Sequence, residues 1–253
     1  MIKIKFLVTF FIIFLSNLCY TQTIINTENM MSDLDENLNY NLSLQGDFNF
    51  GNIDLIEFNT AHQFSKSIDR SLIRFIVNYE YIEEGGEKLA SDLSTQIRYN
   101  YNFKKNSIFA FIQAQNIKSL RMDHRYISGF GYRHNLYTKS KDYWDLSAGI
   151  FYENELYDKN LSTESQVNNL RYSFSSFGKY NISEKMFLNL SVYYQINSAS
   201  SDDYRLFVQP RLYYELEKFD LFIDLTNRYH STPYIDIYKK DTSLEIGIEF
   251  SIN

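Results

Sequence analysis

Residues Asn37–Phe50 read NLNYNLSLQGDFNF, and apolar and polar side chains alternate along the whole stretch. One parity carries Leu, Tyr, Leu, Leu, Gly, Phe and Phe, and the other carries Asn, Asn, Asn, Ser, Gln, Asp and Asn. Successive side chains of a β-strand point to opposite faces. The stretch therefore predicts a strand with one apolar and one polar face.

The same two-residue period recurs along most of the remaining chain. It is clearest in Ile73–Tyr81, Leu89–Phe103, Trp144–Glu153, Met186–Asn197 and Ser243–Ile252. Turn-forming residues divide the chain into about twelve strands, with ten or fourteen as alternatives. Many strands have twelve or more alternating residues, whereas those of a soluble β-sandwich usually have about five or six. The predicted fold class is all-β, a transmembrane antiparallel up-and-down β-barrel spanning residues 37–253.

Three segments fit the pattern less well. Ile53–Phe64 and Ser107–Ser119 carry apolar residues on both parities, so the period does not assign their outward faces. Pro210 interrupts a predicted strand and lacks a backbone donor, which predicts either a bulge or a shorter strand.

The N-terminus has the organisation of a secretory signal peptide. Lys3 and Lys5 precede the apolar run Phe6–Leu15, which is too short for a spanning helix, and a polar exit follows. We expect residues 1–22 to be the signal peptide. Residues 23–36 lack strand alternation and form either a flexible leader or a small plug in the periplasmic mouth.

Composition narrows the classes of function. The formal net charge is −6, and removing Lys3 and Lys5 lowers it to −8, which argues against a nucleic-acid partner. Cys19 is the only cysteine and falls in the signal peptide, and Leu18 before it disfavours a lipid-attachment site. The 22 tyrosines and 21 phenylalanines suit a barrel with aromatic girdles at the lipid interfaces.

The predicted connections alternate in length. Tight polar turns are expected at Ser65–Asp69, Lys104–Asn106, Thr138–Asp142, Ile182–Lys185 and Glu215–Lys218. Longer connections are expected at Glu83–Lys88, Lys118–His124, Asp158–Gln166, Asn197–Asp203 and Tyr229–Asp241. Short periplasmic turns and long outer loops are typical of bacterial outer-membrane barrels. The protein is therefore expected in the outer membrane, surrounded by its lipid, with both termini in the periplasm.

Charged residues recur on the parity that faces the lumen. On the lipid face each would cost roughly 2–4 kcal/mol at the bilayer midplane. The candidate lumen-lining residues are Arg74, Glu80, Asp92, Arg98, Arg125, Arg133, Asp145, Glu153, Arg171, Arg205, Arg211, Asp224, Arg228 and Glu245, and Glu215 and Glu249 share their parity. They form either a salt-bridge network that fills a narrow barrel or a selectivity lining for ions or small polar solutes.

Catalytic and metal-binding patterns are weak. The adjacent His230 and Ser231 resemble the histidine and serine of outer-membrane lipases, but neighbours on a strand point to opposite faces. Asp236 and Asp241 lie in the last loop without a spaced series of metal ligands. We predict no catalytic residue, no metal site and no cofactor.

Two stretches resemble a known family. Arg125–Arg133 (RYISGFGYR) and Leu146–Glu153 (LSAGIFYE) are similar to the core of a domain-of-unknown-function family, sometimes called salt-induced outer-membrane proteins. Asn26, Glu28 and Asn29 resemble an N-terminal motif of its Bacteroidota-type members. The resemblance implies an outer-membrane barrel without an established activity, and the matching core positions are Arg125, Gly129, Gly131, Tyr132 and Arg133.

The sequence favours a non-enzymatic outer-membrane barrel, either a narrow pore or a stress-linked envelope component. Two alternatives remain open: a lipid-modifying outer-membrane enzyme, and a structural or adhesive barrel whose outer loops bind a partner.

Overall fold

The computed structural model describes residues 38–49, 55–158 and 166–252. These residues form twelve antiparallel strands that close into a barrel, each pairing with its neighbours in sequence and β1 pairing with β12. The strands are β1 (Leu38–Asn49), β2 (Leu55–Ile68), β3 (Ser71–Glu84), β4 (Glu87–Phe103), β5 (Asn106–Ile117), β6 (Met122–Lys139), β7 (Asp142–Tyr157), β8 (Gln166–Asn181), β9 (Met186–Asn197), β10 (Tyr204–Glu215), β11 (Asp220–His230) and β12 (Lys240–Ile252). The predicted fold class and strand number are confirmed. The segments predicted as signal peptide and leader, with Asn26, Glu28 and Asn29, lie outside the described residues.

The two ends of the barrel differ. At one end, here called the short-turn end, β2–β3, β4–β5 and β6–β7 are joined by two-residue turns, and β8–β9 and β10–β11 by four residues. The opposite end, here called the long-loop end, carries the connections after β5, β7, β9 and β11, including a 3₁₀-helix at Lys118–Leu120. One expectation is wrong: β3 and β4 continue to a tight turn at Gly85 and Gly86, not a long loop. Their φ angles of 60° and 84° suit glycine, which lacks the side chain that disfavours this region.

Strand pairing resolves the ambiguous segments: in β2, Phe58 and Phe64 are exposed while Gln63 is buried, and residues 53 and 54 lie outside the described residues. In β5, Ile108 and Ile112 face outward, while Phe109 and Gln113 are buried. Pro210 neither bulges nor shortens β10. The β10–β11 register is the same on both sides of it, from Val208 opposite Asn227 to Arg211 opposite Asp224, and only the pairs between them are missing.

The outward face is apolar with aromatic ends. Exposed aliphatic and aromatic side chains such as Ile97, Ile112, Phe130, Ile223 and Ile246 cover its middle. Exposed aromatic residues near the short-turn end are Tyr99, Tyr132, Tyr137, Trp144, Tyr180 and Tyr214, and those nearer the long-loop end are Tyr79, Tyr126, Tyr152 and Tyr172. An apolar band between aromatic girdles is the surface that a bilayer requires of a barrel. No helix in the described ranges is long and apolar enough to cross a membrane.

Candidate functional site: the charged lumen

The lumen contains the charged side chains that the strand period assigned to it. All fourteen candidate residues lie on strands, and all are buried except Glu80 and Arg228, which are half-buried. They form separate groups within the barrel. The groups differ in net charge and in their hydrogen-bond partners.

The largest group is an arginine–glutamate network near the long-loop end. Glu153, which is fully buried, accepts hydrogen bonds from Arg125 Nη2 at 2.6 Å, Arg171 Nε at 2.6 Å and Arg205 Nη1 at 2.8 Å. Glu155 lies on the same face of β7, 3.0 Å from Arg125 Nε and 3.2 Å from Arg205 Nη2. The three arginines lie on β6, β8 and β10, so the two carboxylates of β7 link β7 to these three strands.

Asp203 completes this network from the β9–β10 loop. It accepts hydrogen bonds from Arg171 Nη2 at 2.6 Å and Asn197 Nδ2 at 2.9 Å, and its Oδ1 lies 2.9 Å from His230 Nε2. Burial alone would raise the pKa of Asp203. Hydrogen bonds from His230, Arg171 and Asn197 outweigh this effect and hold the pKa well below its usual range. The network therefore balances three arginines with three carboxylates.

A loop crosses the barrel mouth above this network. Ile235 and Ile237, in the β11–β12 connection, pack on an apolar cluster formed by Ile117, Leu120, Met122, Tyr157 and Val167. The ring of Tyr234 stacks on that of Tyr157, with centroids 6.0 Å apart. The cluster belongs to β5, β6, β7, β8 and the 3₁₀-helix, on the opposite side of the barrel from β11 and β12. The loop thus spans the lumen at the long-loop end.

A second group lies on the opposite wall, on β2, β3, β11 and β12. Glu57, Glu80 and Glu245 are electrostatic neighbours, and Arg228 interacts with all three. Arg228 Nη1 also lies 3.1 Å from Asp241 Oδ2. Carboxylates outnumber arginines here, so this wall is acidic. Within the described residues, no group of His, Cys, Asp or Glu has the arrangement of a metal site.

The short-turn half of the wall formed by β3, β4 and β6 is basic. Arg74 and Arg98 face each other across β3 and β4, and both donate to Asn100 Oδ1, at 3.4 Å and 3.3 Å. Arg98 also lies over the ring of Phe109, 4.2 Å from its centroid. Arg133 donates to Asp145 Oδ2 at 2.7 Å and lies 4.7 Å from the ring centroid of Phe177. Cation–π contacts such as these keep guanidinium groups in place without neutralising them.

Arg211 and Asp224 form an ion pair between β10 and β11. Gln209 donates to the same Asp224 oxygen at 2.6 Å, and Tyr213 donates to Glu249 at 3.1 Å. Asp92 stands apart from these groups, because it accepts the backbone N–H of Ser119 at 3.1 Å and binds the Ser119 hydroxyl. Asp92 therefore holds the 3₁₀-helix in place.

Glycines in the family-like stretch make room for aromatic side chains in the lumen. A Cβ at Gly129 would lie 2.9 Å from Phe111, and one at Gly131 would collide with the ring of Phe109. Arg125 and Arg133 share this inward face. Tyr132 faces outward, and its hydroxyl donates to Asn106 Oδ1 at 2.7 Å.

Two cavities lie along the basic side of the barrel. An internal cavity of about 80 Å³ is lined by polar side chains, including Gln96, Gln113 and Arg98, and by aromatic side chains, including Phe111 and Phe177. A wider cavity of about 370 Å³ lies at the short-turn end; we call it the vestibule. Its charged lining is Arg74, Lys104, Lys105, Arg133 and Asp145, and its amide lining is Asn100, Asn102, Asn106 and Asn135.

Sequence reasoning missed two members of the arginine–glutamate network. Glu155 shares the parity of Glu153, so extending the β7 period by two residues would have included it. Asp203 lies in a loop, where no period operates, and only the three-dimensional structure reveals its role. His230 belongs to this network as the partner of Asp203. The Ser231 hydroxyl beside it contacts the carbonyl oxygens of Asp202 and Tyr204, at 2.5 Å and 3.1 Å.

A closed twelve-stranded barrel with an apolar outer band and a charged lumen defines the class of outer-membrane β-barrels. Within this class, the chain belongs to the family described as "Protein of unknown function, DUF481", whose model matches residues 37–252. No curated protein matches the chain.

Two solved structures with a similar fold are an outer-membrane channel and a porin, both of very different sequence. The COG4313 outer membrane channel from Pseudomonas putida F1 has a TM-score of 0.56 and 10% identity, with 91% of this chain and 100% of that chain covered. The NanC porin has a TM-score of 0.52 and 10% identity, with 85% of this chain and 99% of that chain covered. At such low identity these structures establish the fold alone.

Proposed function

We propose that the protein resides in the outer membrane and forms a narrow, charge-lined passage for ions or small polar solutes. The observation that carries this proposal is the internal cavity of about 80 Å³, whose lining includes the guanidinium groups of Arg98 and Arg125. One water molecule occupies roughly 30 Å³ in the liquid, so this cavity has room for a few waters or a small, partly dehydrated ion. Arg98 lines this cavity, and Arg74, its partner across β3 and β4, lines the vestibule.

The passage is closed at the long-loop end in this conformation. The arginine–glutamate network occupies the lumen there, and Ile235 and Ile237 hold the β11–β12 loop across the mouth. Short turns on the periplasmic side are usual for outer-membrane barrels. On that basis the vestibule opens to the periplasm, where both termini lie, and the loop covers the external mouth.

Single-channel recording of the chain Thr23–Asn253 in planar bilayers tests this proposal. We expect low conductance for the unaltered chain and frequent, larger openings for an Ile235→Ser, Ile237→Ser double variant, because its loop loses its apolar contacts. Ile182→Ser is the matched control, since Ile182 is exposed in a turn at the opposite end. Silent bilayers with all three chains, each folded by heat-modifiable gel migration, would show that the lumen is filled and that the barrel is structural.

We also propose that the barrel is not an enzyme. His230 is buried and faces Asp203, while the Ser231 hydroxyl contacts backbone oxygens. A serine nucleophile instead needs its hydroxyl within hydrogen-bond reach of the base. Phospholipid turnover that disappears in a folded His230→Ala variant would contradict this part of the proposal.

A further inference from the structure

Positive charge is concentrated on three consecutive turns at the short-turn end. The β2–β3, β4–β5 and β6–β7 turns, with the strand residues beside them, carry more exposed cations than carboxylates. The cations are Lys66, Arg70, Lys104, Lys105, Lys139 and Lys141, and the carboxylates are Asp69 and Asp142. The β8–β9 and β10–β11 turns have the lysines Lys179, Lys185 and Lys218 and the carboxylates Glu184, Glu215, Glu217 and Asp220. The excess is therefore confined to one half of the rim, and we call the six cations the basic arc.

Backbone hydrogen bonds join the three turns into a continuous surface. Asn102 N–H donates to the carbonyl oxygen of Arg70 at 2.7 Å, and Asn135 N–H donates to that of Lys105 at 2.8 Å. Each turn has two residues, and the first of them has a positive φ: 51° at Asp69, 55° at Lys104 and 57° at Ser140. The second is basic in every case, namely Arg70, Lys105 and Lys141. The repeated turn thus presents a cation at the same position of all three tips.

Aromatic side chains beside the arc mark the level of the lipid headgroups. Tyr137 and Trp144 are opposite each other on β6 and β7, and they are 50% and 48% exposed. Amphipathic rings of this kind lie at the membrane–water interface. Lys139 follows Tyr137 by two residues and Lys141 precedes Trp144 by three, which corresponds to about 7 Å and 10 Å of strand. Both ammonium groups are thereby placed at the level of lipid phosphates.

The carboxylate nearest in sequence to these lysines is engaged elsewhere. Asp142 Oδ1 accepts the backbone N–H of Asn181 at 2.8 Å and its Nδ2 at 2.7 Å. These bonds hold the carboxylate toward β8. Lys139 and Lys141, both exposed, are left accessible to an anion from outside the chain.

We propose that the basic arc binds the headgroups of anionic phospholipids in the surrounding leaflet. Lysine and arginine side chains contact the headgroup phosphates, and the acyl chains lie against the apolar band beyond Tyr137 and Trp144. Cations next to a membrane-spanning segment attract anionic lipid in this way. The barrel thus collects anionic lipid around one half of its circumference. This inference rests on the proposed residence in a membrane, and it does not require the barrel to conduct.

Quenching of tryptophan fluorescence by brominated lipids tests this inference at the site, because Trp144 is the only tryptophan. The chain Thr23–Asn253 is reconstituted in mixtures of phosphatidylcholine and phosphatidylglycerol, and one of the two lipids is brominated in each series. Comparing the two quenching curves gives the enrichment of phosphatidylglycerol beside Trp144. The test variant is Lys139→Gln, Lys141→Gln. Its matched control, Lys88→Gln, Lys239→Gln, removes the same charge from exposed positions at the long-loop end.

We expect phosphatidylglycerol to be enriched about threefold or more beside Trp144 in the unaltered chain and in the control. The enrichment should disappear in the Lys139→Gln, Lys141→Gln variant and in molar salt. Equal quenching by the two lipids in the unaltered chain, or an enrichment that survives in the test variant, would overturn the proposal. So would an equal loss in the control, since net charge and not the arc would then be responsible. Quenching by neither lipid would contradict residence in the bilayer itself, and this inference with it.

Discussion

Replacing Glu153 by Gln should destabilise the barrel more than any other single isosteric change in its lumen. The carboxylate is fully buried and accepts charged hydrogen bonds from Arg125, Arg171 and Arg205 at 2.6–2.8 Å. A neutral amide leaves three arginines with two carboxylates, Glu155 and Asp203. Breaking a buried ion pair by removing one partner costs about 3–5 kcal/mol, so we expect a loss of about that size in the free energy of unfolding.

The assay is reversible unfolding in urea with the barrel in detergent micelles or thin bilayers. Trp144 is the only tryptophan, and its indole is exposed on the outward face, where it donates to Ser176 Oγ at 2.9 Å. Its fluorescence therefore reports the transfer of the barrel wall between lipid and water. Heat-modifiable gel migration gives an independent measure of the folded fraction.

The matched control is Asp123→Asn at an exposed ion pair. Asp123 lies 2.6 Å from Lys118 Nζ, but the two side chains are 50% and 48% exposed. Exposed pairs contribute at most about 1 kcal/mol. If Glu153→Gln costs no more than Asp123→Asn, the three arginines do not depend on Glu153, and the network is not the main polar support of the barrel.

Three further changes have distinct expected outcomes. Gly131→Ala should lose about 1–3 kcal/mol in the same urea assay, because its Cβ meets the Phe109 ring, and Phe109→Leu should recover part of that loss. Arg98→Gln removes a positive charge from the internal cavity and should shift the reversal potential in a salt gradient toward cation selectivity. Lys66→Gln, on the outer surface, should leave the reversal potential unchanged. Equal shifts for the two variants would contradict a role of the cavity in selectivity. The pKa of Asp203 is lower in the folded state than its ordinary value of about 3.9, so the ionised carboxylate stabilises the fold fully above pH 3.9 and less as the pH falls below it. Asp203→Asn should therefore cost stability at pH 7 and progressively less toward pH 2. A cost that does not change with pH would refute this assignment.

The strand period was sufficient to predict the barrel and most of its inner surface. In β4, polar residues fill the inward parity almost without exception, so the pattern identified both faces correctly. It failed in β5, where Phe109 and Phe111 face inward above glycines of β6. Such filling depends on which strands become neighbours, and a single strand's pattern does not contain that information.

The grouping of charges was not predictable from the sequence. Parity places Arg125 and Arg205 in the lumen, but they are 80 positions apart, and only barrel closure brings both to Glu153. Conversely, the adjacent His230 and Ser231 suggested a shared chemical role, yet the structure gives them different partners. Long-range register determines these partners, and it is set by all twelve strands together.

The pairing of β1 with β12 makes the barrel's integrity depend on the two extremes of its sequence. This seam extends only from Tyr40 opposite Ile252 to Gly46 opposite Ile246, whereas β1 pairs with β2 along its whole length. The strands it joins are about as far apart in sequence as the fold allows, so its contacts are entropically the most costly to form. Until β12 is in place, β1 and β11 each have one unpaired edge, and such edges are prone to pair with other chains. The seam is therefore where the wall closes last, and where we expect it to part first.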